Sequence, residues 1–166
     1  HPYGNLTVSE IIQKSSNIGT AKIAMNSLSS EEMWDFYTAV GLGQTPKIGF
    51  PGAVGGTVHP FKKWMPTDQA RIAFGYGISA SLFQVARAYT VFARDGELVP
   101  LTIERSPNFK PGTRVLSAKT AIEMRTMLET VTEPGGTAIK AQAEGFRVGG
   151  KTGTAHKLVG KGYGNK

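Results

Sequence analysis

At 166 residues, with 40% hydrophobic and 19% charged side chains, the chain suits one globular domain with a sizeable core rather than a disordered segment. No apolar run approaches the roughly 18 residues of a membrane span, and the absence of cysteine removes disulfides, thiolate catalysis and zinc–cysteine sites. The formal charge of +7 is scattered, which suits a solvated surface or the steering of a carboxylate; no basic stripe with interleaved aromatics points to nucleic acid.

His1-Pro2-Tyr3-Gly4 has no initiator methionine and no signal-peptide layout, which reads as a chain entered in mid-protein. Thr7 and Glu10 form a capping-box pattern, predicting a short helix to about Lys14 that delivers Ser15 to its end. A second helix is predicted from Ile18 to Met25. Ser29 and Glu32 open a third over Ser30–Val40, with Met33, Phe36, Tyr37 and Val40 as core and Gly41 as a left-handed cap. Gly43 to Met65 is rich in glycine and proline and reads as loop. A short helix is predicted over Asp68–Phe74. Ser81 and Gln84 cap a longer one with Leu82, Val85, Tyr89 and Phe92 at helical spacing, closed by Gly96. Val99 to Ile103 should be extended. Ser117 caps a further helix whose buried candidates are Ile122, Met127, Leu128 and Val131, and Glu133-Pro134-Gly135-Gly136 stops it. Phe146 to Ala155 reads as a strand, and Gly160 to Asn165 as a turn-rich tail. Helices dominate, and a lone strand needs partners that this chain barely contains.

Two short runs carry the chemistry: Ser15-Ser16-Asn17 at a helix junction, and Lys151-Thr152-Gly153 on the expected strand, 136 residues apart. Serine acyl transfer needs a nucleophile, a base, oxyanion donors and a relay that returns a proton to the leaving amine. Ser15 is placed to be a relay hydroxyl. Asn17 offers a donor and an acceptor for a peptide amide. Lys151 supplies an ammonium for the relay and for a substrate carboxylate, and Thr152 adds a hydroxyl for that carboxylate. Gly153 allows close backbone approach, and the Thr154 N–H is a candidate oxyanion donor. Each run alone also fits an ordinary turn with a solvated lysine; together, in this order, they become specific. No serine has a lysine three positions later, so the nucleophile and its lysine are absent from the chain.

With Gln13–Gly19, Phe74–Ile78, Gln84–Tyr89, Thr132–Thr137 and Lys151–Ala155 taken together, the chain resembles the class B penicillin-binding proteins, in particular their septal, division-specific members from Gram-negative bacteria. The resemblance implies an α+β, serine β-lactamase-like transpeptidase fold. Residues 1–166 would be a partial domain: the helix-rich middle plus the strand carrying Lys-Thr-Gly, without the upstream Ser-x-x-Lys segment and the C-terminal strands and helix. It also implies a D,D-transpeptidase that cross-links peptidoglycan stem peptides ending in D-Ala-D-Ala. Such an enzyme is acylated by β-lactams, meets divisome proteins and works on the periplasmic face of the inner membrane through an upstream anchor. No metal or organic cofactor is called for. The fragment alone is expected to be inactive.

Other classes fit less well. A serine β-lactamase or penicillin-sensing domain shares both motifs. Gly145 to Thr152 satisfies the Walker A pattern of P-loop nucleotide hydrolases, but a P-loop follows a buried strand and opens a helix, and neither is expected here. Gly75-Tyr76-Gly77-Ile78-Ser79-Ala80 fits a loose dinucleotide pattern without the required preceding strand. A non-catalytic interaction module, pairing with a separately supplied remainder, is the third class.

Overall fold

The computed structural model describes residues 3–103, 105, 108, 110–154, 157–159 and 162–164. Among them run six α-helices: α1 (Val8–Gln13), α2 (Asn17–Ser27), α3 (Ser30–Ala39), α4 (Pro66–Ile72), α5 (Leu82–Ala93) and α6 (Ala118–Glu129). Most begin at a side-chain cap. Reciprocal capping boxes at Thr7/Glu10, Ser29/Glu32 and Ser81/Gln84 satisfy amide groups that an isolated helix leaves unpaired. Ser117 Oγ accepts from the Thr120 N–H at the start of α6. α4 starts two residues before its sequence expectation and ends at Ile72, with Pro66 in its first turn and the Asp68 carboxylate reaching back to the Met65 N–H.

Sheet structure is sparse. β1 (Glu97–Leu98) pairs antiparallel with β2 (Thr113–Arg114), Glu97 facing Arg114. β3 (Lys157–Val159) pairs with β4 (Gly162–Gly164), Lys157 facing Gly164. Three sequence expectations meet the structure here. The expected turn-rich tail contains a strand at Gly162–Gly164. The strand after α5 is Glu97–Leu98, and the stretch Val99–Ile103 expected to be extended follows it without joining a ladder. Residues 146–154 belong to no ladder, and Ala155 lies outside the described residues. Alternating Phe146 and Val148 resembles a strand, but no strand among the described residues offers that segment its hydrogen bonds.

Buried side chains form small clusters. Ala24, Met33 and Ile72 pack with Tyr37, Trp64 and Ile78, joining α2, α3 and α4. Val40, Val91 and Leu98 pack with Phe36, Ala88 and Leu116, joining α3, α5 and β1. Ala121, Leu128 and Val131 are buried along and beyond α6, whereas Ile122 is 46% exposed. On α5 the buried positions are Gln84 and Val91, while Leu82 is 85% exposed. Gln84, at 1% exposure, bolts the glycine-rich loop down: its amide nitrogen lies 2.8–3.0 Å from the carbonyl oxygens of Gly41, Gln44 and Gly55. Gln69 does the same for α2, donating to the Ala24 and Leu28 carbonyls at 3.1 and 2.8 Å.

Candidate active site

The turn that presents Ser15 is built by the end of α1. The Ser16 N–H donates to the Ile11 carbonyl at 3.0 Å and the Ser15 N–H to Ile12 at 3.2 Å, which is the Schellman pattern. That pattern requires its pivot residue to be left-handed, and Ser15 has φ +54°. α3 ends the same way, with Gly41 as pivot at φ +89°. A serine held where glycine is the natural choice stores strain, and such strain concentrates at functional sites. Ser16 then serves two helices, since its Oγ accepts from the Gly19 N–H to cap α2. The tight α1–α2 corner depends on Gly19, where a Cβ would lie 2.7 Å from Ile11 Cγ1.

The segment carrying Lys151 hangs on the end of α6. The Thr132 hydroxyl donates to the Val148 carbonyl at 2.8 Å, the Gly150 N–H donates to the Leu128 carbonyl at 3.2 Å, and Arg147 pairs with Glu129 at 2.8 Å. α1 also packs against α6, and Gln13 Nε2 donates to the Thr130 carbonyl at 3.2 Å. Both motifs are thus referred to one helix terminus.

There they meet. Lys151 Nζ donates to Ser15 Oγ at 2.6 Å across 136 residues of sequence. Its other contacts are the Thr152 carbonyl at 3.1 Å and Thr152 Oγ1 at 3.3 Å, so three acceptors surround the three ammonium hydrogens. Lys151 is exposed as a residue, yet its ammonium is tucked against these groups, and that desolvation lowers its pKa from 10.5. The Thr152 hydroxyl is itself 2.8 Å from Thr137 Oγ1. Because Ser15 Oγ accepts from the ammonium, its own proton is free to be donated outward.

Ser15, Lys151 and Thr152 therefore come together. Asn17 sits exposed in the first turn of α2, with no side-chain hydrogen bond among the described residues. Gly153 and Thr154 continue as exposed, unpaired chain; a Cβ at Gly153 would meet nothing within 4 Å. Gln13, Thr132 and Thr137 are site-building residues that the motif reading passed over. Each stood inside or beside a run singled out for resemblance, but only the folded contacts show what they hold.

The Walker A pattern does not form a phosphate cradle. The Gly150 N–H is committed to Leu128, and the next described element is β3, not a helix. Gly75 and Gly77 are left-handed turn residues after helix α4, without the strand that a dinucleotide site needs. Among the described residues, no three His, Asp or Glu side chains are grouped to hold a metal ion.

A family model described as the penicillin binding protein transpeptidase domain matches residues 1–166. The chain is 45% identical over 163 residues to the probable peptidoglycan D,D-transpeptidase PenA of Neisseria gonorrhoeae, covering 98% of this chain and 28% of that protein. It is 35% identical over 156 residues to the peptidoglycan D,D-transpeptidase FtsI of Escherichia coli K12, covering 94% of this chain and 26% of that protein. Among solved structures, the transpeptidase domain of Burkholderia pseudomallei penicillin-binding protein 3 superposes with TM-score 0.93 at 56% identity. It covers 98% of this chain and 50% of that one. The chain thus spans under a third of the length of these two curated relatives.

Proposed function

The chain belongs to the penicillin-binding protein transpeptidase family, and on that premise we propose that it forms part of a peptidoglycan D,D-transpeptidase of septal wall synthesis, sensitive to β-lactams. The relatives' names, D,D-transpeptidase and FtsI, favour cross-linking over the hydrolysis of a β-lactamase. A periplasmic site on the inner membrane and contact with divisome proteins go with that reading. No described helix is long and apolar enough to cross a membrane.

The observation that carries the proposal is the 2.6 Å contact between Lys151 and Ser15. A serine from a Ser-x-x-Lys segment outside these 166 residues gives its proton to that segment's lysine and attacks the carbonyl of the penultimate D-alanine. The Thr154 N–H helps to hold the resulting oxyanion. As the C–N bond breaks, Ser15 gives its proton to the departing D-alanine nitrogen, and Lys151 replaces that proton through the hydrogen bond already formed. The acceptor amine of a second stem peptide then attacks the acyl-enzyme, its proton returns to Lys151 along the same path, and the ester bond breaks as the expelled serine takes its proton back from the Ser-x-x-Lys lysine. Asn17 clamps the substrate amide, while Lys151 and Thr152 face the terminal carboxylate. A β-lactam follows the first half only, because its leaving nitrogen stays tethered in the site.

The complete protein carrying this chain should bind fluorescent penicillin covalently and release D-alanine from a stem pentapeptide with an acceptor amine present. ATP binding without penicillin labelling would overturn the reading in favour of the P-loop class.

A further inference from the structure

We propose that Gln13 is a positioning residue for acyl transfer, setting the separation of Ser15 and Lys151 by fastening the Ser15 turn to the end of α6. The inference rests on the transpeptidase reading above.

Ser15 and Lys151 touch only through their side chains. Their spacing is decided by what holds each backbone. On the Lys151 side three ties reach α6 and its C-terminal extension: Thr132 to Val148, Gly150 to Leu128, and Arg147 to Glu129. On the Ser15 side Gln13 supplies the reciprocal tie, two residues before the relay hydroxyl. Its acceptor is the C-cap carbonyl of α6, one of the terminal groups that a helix leaves without an internal partner. Gln13 also lies against the turn at Gly135, where a Cβ would be 3.8 Å from its amide nitrogen. A helix of six residues does not hold its own position firmly, so the part-buried Gln13 bond fixes where the left-handed turn at Ser15 is presented.

The amide touches no reacting atom. Its effect must therefore pass through Ser15, and a double-mutant cycle isolates that route. In the complete protein, the penicillin acylation rate constant and the dissociation constant of the preceding non-covalent complex are measured for wild type, Gln13→Met, Ser15→Ala and the double variant. Gln13→Glu serves as a second variant that keeps length but sets a carboxylate against the Thr130 carbonyl. The expected result is a fall of about tenfold in the acylation rate for either Gln13 variant, the scale of a small misplacement. Non-covalent affinity should stay unchanged, and in the Ser15→Ala background the further loss should be under about twofold. Equal losses in both backgrounds, or no loss, overturn the inference while the transpeptidase reading stands. A wild-type protein that is never acylated overturns that reading, and this inference with it.

Discussion

Ser15 occupies a backbone position that favours glycine, in a motif that α3 completes with Gly41. Ser15→Gly should therefore be more stable than Ser15→Ala by about 1 kcal/mol in urea denaturation, while both lose the hydroxyl proposed as the relay and should acylate slowly. Lys151 makes a second test at this scale. Its pKa is lowered by desolvation, and the protonated form is the one that donates to Ser15 and attracts a carboxylate. The acylation rate should thus decline on the alkaline side below 10.5, the ordinary lysine value. In Lys151→Arg the maximum should be lower, but the alkaline limb should move up, because a guanidinium stays charged there. An unshifted limb would show that Lys151 is not the titrating group.

At the scale of elements, two buried glutamines tie separate segments together. Gln84→Leu leaves the carbonyls of Gly41, Gln44 and Gly55 without their shared donor, and should cost about 3 kcal/mol by urea denaturation. Gly136→Ala should disrupt the turn after α6, since the added Cβ would lie 2.2 Å from the Val131 carbonyl oxygen; a loss of about 2 kcal/mol or more is expected in the same assay. Helix starts were legible because a cap is local: Thr7, Ser29, Ser81 and Ser117 each sit where the sequence placed them. Burial was less legible. Leu82 opens an apolar spacing on α5, yet the face turned inward carries Gln84, Ala88 and Val91. Over Phe146–Thr154 the strand-like alternation joins no ladder among the described residues, in keeping with the lack of partner strands already legible in the sequence; the ties to α6 hold residues 147–150 instead.

For the whole molecule, Ser15 and Lys151 could be paired from sequence as candidate site residues, and the fold brings their side chains into contact. Gln13 and Thr132 could not, because what ties them to this region is long-range hydrogen bonds that leave no periodic trace. Leu82 at 85% and Phe146 at 79% exposure show large apolar side chains open to solvent, in a chain covering half of a solved transpeptidase domain. The isolated 166 residues should accordingly bind an apolar dye that the complete protein excludes; equal dye binding by both would contradict this.

The most direct measurement is the penicillin acylation rate of the complete protein with Ser15→Ala, Lys151→Ala and the two combined. If the hydroxyl and the ammonium form one proton path, each single change slows acylation by about 100-fold or more and the double is scarcely slower than the worse single. A double variant whose loss is the product of the two singles, or a wild-type protein that penicillin does not acylate, would contradict it.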